Sequence, residues 1–228
     1  MTNEHPDRCP SPRCPPLVCR QWSLCVLITE SLCKRPWEEV ARAALEAGAD
    51  CIQLREKELA GRELLARAKR LREWTREHDA SLVMNDRPDI ALLVEADGVH
   101  LGQTDLPVEM ARRITGGAMC IGISTTTLAQ ATEALNAGAD SLGLGPMFAT
   151  RTKPDPGGRT DGSLAGPTLV REVLAKHPGT THLAIGGITG ENISELREAG
   201  AKGIAVSGGV CGADDPGVVV RQLLEAVR

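Results

Sequence analysis

The sequence predicts an α/β chain closed as a (β/α)₈ TIM barrel. Three observations carry that expectation. Short apolar runs alternate eight times with segments of helical period, one strand-entry pattern recurs, and 228 residues is an ordinary length for a single barrel. Strands that alternate with helices imply a parallel sheet with right-handed crossovers. Eight such units favour closure over an open doubly wound sheet. No Gly-x-Gly-x-x-Gly follows the first strand, which lowers the dinucleotide-fold alternative.

Residues 1–20 are rich in Pro, Cys and Arg without periodicity, and are expected to be a disordered leader. Residues 21–228 are expected to form one catalytic barrel domain. Leu24–Ile28 reads as the first strand, and Trp37, Val40, Ala41 and Ala44 then fall on one helical face. Cys51–Leu54 is the second strand, followed by a longer helix marked by Leu64, Leu65, Ala68 and Leu71. Ser81–Met84 and Gly98–Leu101 are brief buried strands with a short helix between them, and a further helix covers Val108–Ile114. Cys120–Ile123 precedes a helix carrying Leu128, Ala131 and Leu135. Ser141–Leu144 opens into a Gly/Pro/Thr-rich loop running to about Gly166. Helix 167–176, strand 182–185, helix 190–199, strand 203–206 and helix 216–227 complete the series.

The recurring pattern is Glu46-Ala47-Gly48-Ala49-Asp50, Asn136-Ala137-Gly138-Ala139-Asp140 and Glu198-Ala199-Gly200-Ala201-Lys202. Each reads as a helix stopped by a left-handed glycine, then a two-residue link into an apolar strand.

Bulk composition removes several function classes. A hydrophobic content of 42% supplies a core without disulfide or metal staples. Net charge is −4 with dispersed basic residues, and aromatic content is only 2%, which argues against nucleic-acid binding. No apolar run approaches the roughly 20 residues of a membrane helix, and the start lacks signal-peptide order. The expected setting is cytoplasmic. Cys25, Cys51, Cys120 and Cys211 lie in or beside apolar runs, where a free Cys behaves as a small hydrophobe. Cys9, Cys14 and Cys19 fit no common zinc spacing and are expected to be incidental thiols of the leader.

Barrel enzymes place their chemistry at the C-terminal strand ends. Asp86 and Asp105 each follow a strand of the Val83–Asp105 stretch and would arrive there close together. Paired carboxylates suit Mg²⁺, although either acid alone also suits a helix cap before Pro88 or Pro107. After the second strand, alternation puts Gln53, Arg55 and Lys57 on one side, where two cations can grip phosphate. A solvated charge cluster, with Glu56 pairing to its neighbours, explains that run as well. Ser124-Thr125-Thr126-Thr127 offers hydroxyls to a ligand, with Thr126 or Thr127 expected as a cap. The loop Thr150-Arg151-Thr152-Lys153, flanked by Gly157, Gly158 and Gly162, reads as a phosphate-gripping lid or as a plain surface loop. Gly186-Gly187 and Ser207-Gly208-Gly209 suit backbone phosphate contacts or tight turns. His100 is expected to be a packed strand histidine and receives no role.

Taken in order, Gln53–Lys57 (QLREK), Asn85–Arg87 (NDR), Gly98–Asp105 (GVHLGQTD), Gly122–Ser124, Leu144–Lys153 (LGPMFATRTK) and Ala184–Ile188 (AIGGI) resemble the thiamine-phosphate synthase family over about 200 residues. The resemblance implies a (β/α)₈ transferase of thiamine biosynthesis. Such an enzyme joins a pyrimidine pyrophosphate to a thiazole phosphate, giving thiamine phosphate and pyrophosphate. It implies Mg²⁺ held by Asp86 and Asp105, and catalytic cations Arg55, Lys57 and Lys153. Gln53, Arg55, Lys57, Asn85, Ser124 and Lys153 would contact the pyrimidine pyrophosphate, and Leu54, Glu56 and Arg151 are also expected among the substrate-binding residues. Thr150, Thr152, Gly187, Ser207 and Gly208 would bind the thiazole phosphate. The implied chemistry is dissociative: pyrophosphate leaves, the aminopyrimidine ring stabilises a carbocation, and the thiazole nitrogen captures it.

Two positions depart from the family pattern. Thr126 stands where the family often has His, and Val206-Ser207-Gly208-Gly209-Val210 replaces a Val-Ser-Ala-Ile ending. The implied partners are small molecules, with neither nucleic acid nor membrane, and the oligomeric state stays open with a homodimer among the options. Rival readings are the thiazole tautomerase relative, which lacks the paired aspartates, and a non-catalytic sensor of thiamine precursors.

Overall fold

The computed structural model describes residues 19–150 and 164–227. Eight parallel strands close in sequence order: β1 (Leu24–Ile28), β2 (Cys51–Leu54), β3 (Ser81–Asn85), β4 (Gly98–Leu101), β5 (Cys120–Thr125), β6 (Ser141–Leu144), β7 (His182–Ile185) and β8 (Ile204–Val206), with β8 pairing back to β1. Around them run α1 (Trp37–Glu46), α2 (Gly61–Glu77), α3 (Pro88–Leu93), α4 (Val108–Thr115), α5 (Leu128–Asn136), α6 (Gly166–Lys176), α7 (Ile193–Glu198), α8 (Gly208–Cys211) and α9 (Pro216–Val227). The (β/α)₈ barrel expected from the sequence is the fold observed.

Period-two alternation divides the barrel wall into two unlike faces. Leu24, Val26 and Ile28 of β1, Ile52 and Leu54 of β2, and Leu82 and Met84 of β3 face outward into the helix layer, where they join one large apolar core. Their neighbours Cys25, Leu27, Cys51 and Val83 face the barrel axis, with Cys120 and Ala205. Along β4 to β6 the inward residues Gly98, Gly122, Ser141 and Gly143 are small, with His100 of β4 the large one among them. The outer layer is therefore filled, and the interior keeps room for a ligand.

The repeated Ala-Gly-Ala pattern does what its residues predict. Gly48, Gly138 and Gly200 have φ of +99°, +90° and +91°. The following Ala49, Ala139 and Ala201 donate their N–H back to Ala44, Ala134 and Leu196. This double-bonded helix ending needs the left-handed glycine. At the foot of the barrel the next residues act as strand anchors. Asp50 accepts from Ser23 N and Leu24 N, and Asp140 accepts from Ile121 N and pairs with Arg112. Asp97, ahead of β4, accepts from Leu82 N and pairs with Arg72.

Two cysteine expectations are corrected. Cys19, expected to be an incidental thiol, forms a disulfide with Cys120, expected to be free, their Cα atoms 5.4 Å apart. The chain at residues 19–22 passes under the barrel, where Cys120 opens β5 facing the axis. Trp22 packs there against Cys25, Cys51 and Cys120 and donates its indole N–H to Ser81 Oγ. A sequence separation of 101 residues gave no local sign of that pairing. The helix expected over 190–199 is also shorter. Thr189 N donates to Asn192 Oδ1 and Asn192 Nδ2 to Gly187 O, so those residues form a turn ahead of α7.

Candidate active site

A cavity of about 520 Å³ opens at the C-terminal strand ends and reaches down the barrel axis. Gln53 on β2 lines it, and so do Arg55 and Lys57 on the segment just after that strand, which keep the alternation going. Leu54 and Glu56, expected at the substrate, do not line it. Leu54 is buried in the outer core. Glu56 accepts from Glu30 N and from Arg67, a half-buried arrangement that fastens the β1–α1 and β2–α2 loops to each other. The intervening residues of the pleat point to the opposite side, and that is the correction. Gln53 is 5% exposed, and its Oε1 has no hydrogen-bond partner among the described residues. An acceptor left in that state is costly unless a ligand donates to it.

Asp86 follows β3 with φ +61°, a left-handed conformation uncommon for a non-glycine residue. Its N–H donates to His100 O, which ties the turn to the end of β4. Strain of this kind persists only where surrounding structure holds it. The turn brings the Asp86 carboxylate against that of Asp105 and 3.6 Å from Lys57 Nζ. Burial pushes the Asp86 carboxyl up to about 6, the hydrogen bond and charge of Asp105 add to the rise, and Lys57 and Arg55 oppose it. Asp105 Oδ2 accepts from Gly102 N at 2.6 Å. A Cβ at Gly102 would come within 2.9 Å of that oxygen, so glycine permits the approach.

Neither acid caps the helix after it: the positions preceding α3 and α4 are Arg87 and Pro107, without side-chain cap bonds. Among the described residues no cluster of three or more His, Cys, Asp or Glu is gathered as a metal nest. Two crowded carboxylates are nonetheless a sufficient protein contribution for Mg²⁺, which leaves its other positions to water and phosphate. The donor set fits that ion.

Across the cavity, Ser124 Oγ lies 2.9 Å from His100 Nε2, and Gln103 Nε2 donates to Ser124 O. His100 is thus part of the wall, a role the sequence reading did not assign. Its ring rests on two glycines of neighbouring strands: a Cβ at Gly122 would sit 2.7 Å from Nδ1, and one at Gly143 2.9 Å from Cε1. The Gly-x-Ser of β5 was the available signal. Thr127 caps α5 by accepting from Gln130 N, as its place before the helix predicts. Thr126 instead binds Gln130 Oε1 through both its N–H and its hydroxyl.

Asn85, Thr150, Gly187, Ser207 and Gly208 also line the cavity. Arg151, Thr152 and Lys153, with the glycines expected to flank them, lie outside the described residues. Gly187 has φ +65°, and a Cβ there would meet Ala149 O at 2.4 Å, so the turn itself demands glycine. Met147 N and Phe148 N donate to Ile185 O and Gly186 O, stitching the start of the β6–α6 loop onto β7. Ser207 Oγ donates to Leu27 O, which fixes the start of α8 against β1.

Residues 24–210 match the family model described as thiamine monophosphate synthase. The chain belongs to the thiamine monophosphate synthase family. It is 44% identical over 208 residues to a thiamine-phosphate synthase of Moorella thermoacetica, covering 91% of this chain and 96% of that one. Another thiamine-phosphate synthase, from Chloroflexus aurantiacus, is 42% identical over 203 residues, covering 89% and 91%. A solved thiamine phosphate pyrophosphorylase from Pyrococcus furiosus superposes with a TM-score of 0.81 at 38% identity, covering 91% of this chain and 96% of that chain. A 3-hexulose-6-phosphate synthase structure at 19% identity and TM-score 0.66 shares the fold alone. Family membership makes this chain an enzyme, a transferase of thiamine biosynthesis.

Proposed function

We propose that this enzyme condenses 4-amino-2-methyl-5-hydroxymethylpyrimidine pyrophosphate with 4-methyl-5-hydroxyethylthiazole phosphate, releasing pyrophosphate and forming thiamine phosphate. The observation that carries the reading is the Asp86–Asp105 pair facing Lys57 within the cavity of a family member. Bound Mg²⁺ would neutralise charge on the leaving pyrophosphate. Asp86 and Asp105 would hold that ion.

The protein's own groups supply the rest. Arg55 and Lys57, on the segment just after β2, present two cations to the pyrophosphate, Arg as a planar fork and Lys as a mobile point charge. Lys153 is the third proposed cation, with Arg151 and Thr152 beside it on the loop. Buried Gln53 Oε1, without a partner, is an acceptor suited to the exocyclic amine of the pyrimidine, and Asn85 and Ser124 line the same wall. Thr150, Gly187, Ser207 and Gly208 are the proposed surround of the thiazole phosphate. A dissociative route needs stabilisation of the departing charge more than a general base, and the cations meet that demand. The ring left behind would carry positive charge until the thiazole nitrogen captures it. The cavity of about 520 Å³ is the proposed space for both rings.

No helix among the described residues is long and apolar enough to cross a membrane, which accords with a proposed cytoplasmic setting and small-molecule partners. The test is thiamine phosphate formation from the two purified precursors, with Mg²⁺ and then with excess chelator. Turnover that disappears with chelator and returns with Mg²⁺ is expected. Metal-independent turnover would remove the proposed role of the aspartates. Binding of both precursors without turnover would move the chain to the sensor or tautomerase reading.

A further inference from the structure

Outside the cavity lining, two thiols meet where the β1–α1 loop touches α8. Cys33 follows the 3₁₀ turn Glu30–Leu32, and Cys211 is the last residue of α8. Their backbones are joined by Lys34 N donating to Cys211 O at 2.9 Å. Cys33 Sγ lies 3.3 Å from Thr29 O and Cys211 Sγ lies 3.4 Å from Leu27 O, so both hang from the same end of β1. The two thiols are near enough to act on each other's ionisation. Cys211 is fully buried, whereas Cys33 is partly open to solvent.

We infer that Cys33 and Cys211 are a reversible modification site, oxidised by low-molecular-weight disulfides to an internal disulfide that clamps the β1–α1 loop to α8. The hydrogen bond from Cys33 brings the Cys211 thiol down to about 7, while that bond, burial and the neighbouring charge of Cys211 push Cys33 up. Glu56, and for Cys33 also Glu30, face the pair and raise it. Access makes the pair reactive: Cys33 is partly open to solvent, and Cys211 lies behind it as the resolving thiol.

The chemistry balances as two exchanges. Cys33 gives its proton to solvent, and its thiolate attacks one sulfur of the external disulfide. Its S–S bond breaks and one external thiol leaves with that electron pair, taking up a proton. Cys211 then gives its proton to solvent, attacks Cys33 Sγ and expels the second external thiolate, which takes up a proton. Two protein thiols and one external disulfide give one internal disulfide and two external thiols. Access sets the order, because only Cys33 is open to the oxidant. Cys25 and Cys51 make the contrast: they are register partners on β1 and β2, yet both are fully buried inside the barrel. Their sulfurs are free thiols with no exposed surface, and they are expected to stay reduced.

The clamp reaches the cavity through α8. Cys211 Sγ and Ser207 Oγ share Leu27 O as acceptor, and Ser207 and Gly208 line the cavity. Formation of the disulfide is independent of the proposed reaction; its effect on turnover rests on that reading. The full-length protein is incubated with glutathione disulfide, alkylated, digested and mapped by mass spectrometry. A Cys33–Cys211 linked peptide that reductant removes is expected, with Cys25 and Cys51 alkylated only after unfolding, and Cys33→Ser should lack the link. A stable glutathione adduct on Cys33 beside a free Cys211, or no reaction at Cys33, would overturn the site. In the turnover assay, oxidation is expected to raise KM for the thiazole phosphate at least about threefold in wild type and not in Cys33→Ser. A linked peptide with unchanged KM would overturn the clamp's reach into the cavity.

Discussion

Aspartates stand at both ends of this barrel and are used in opposite ways. At the N-terminal end Asp50, Asp97 and Asp140 each accept backbone N–H groups from a neighbouring strand, and Asp97 and Asp140 also pair with Arg72 and Arg112. Their charges are satisfied by fixed donors. At the C-terminal end Asp86 and Asp105 are pressed together, one on a left-handed backbone, with Lys57 only partly compensating. The same side chain thus builds the fold at one end and stores electrostatic strain for a ligand at the other. This is the division of labour that barrel enzymes impose on their two faces.

The strongest test of that contrast is loss of the strained pair. Asp86→Ala and Lys57→Ala should each lower kcat at least about 10²-fold, roughly 2.7 kcal/mol of barrier, while circular dichroism stays native. Near-wild-type turnover in either variant would take that residue out of the site. At the other end, Asp97→Ala leaves Leu82 N–H and Arg72 without their acceptor. It should cost about 1–3 kcal/mol of stability in denaturant titrations, with kcat per folded molecule unchanged. An activity defect without a stability defect would erase the distinction between the ends.

A pH series sharpens it further. The Asp86 carboxyl is raised by burial and by Asp105, so its ionisation is less favourable folded than unfolded. Metal-free protein should keep this contribution below about pH 4 and lose it as pH rises through about 6. Asp86→Asn should therefore be more stable than wild type at pH 8 without metal, by about 1–2 kcal/mol, and the gap should close near pH 4. A gap that widens on acidification would reverse the sign and refute the account. The smallest effect belongs to Thr127, which lies at the functional end but caps α5. Thr127→Ala should cost about 1 kcal/mol of stability and leave turnover intact, separating position on that face from participation.

Much of the site was legible because it follows local periodicity. The run Gln53–Lys57 sends every second side chain into the cavity, and alternation identified Gln53, Arg55 and Lys57. Leu54 and Glu56 entered the expected set only because the family resemblance was carried over as a run, which takes no account of the pleat. His100 was missed because its seat is made by Gly122 and Gly143 on two other strands. No neighbour in sequence reveals that seat. The Asp86 turn gave no sign either, since it is held by a bond to His100 O across a strand pair.

By itself the sequence determined the order of strands and helices, the glycine helix endings, the eightfold closure and the family, because these rest on periodicity and short-range backbone chemistry. The tertiary structure decided what depends on contacts between distant segments. It joined Cys19 to Cys120, left Gln53 Oε1 without a partner, and set Asp86 on a left-handed backbone held by His100 O. Those are energies of proximity, and chain order does not contain them until the barrel closes.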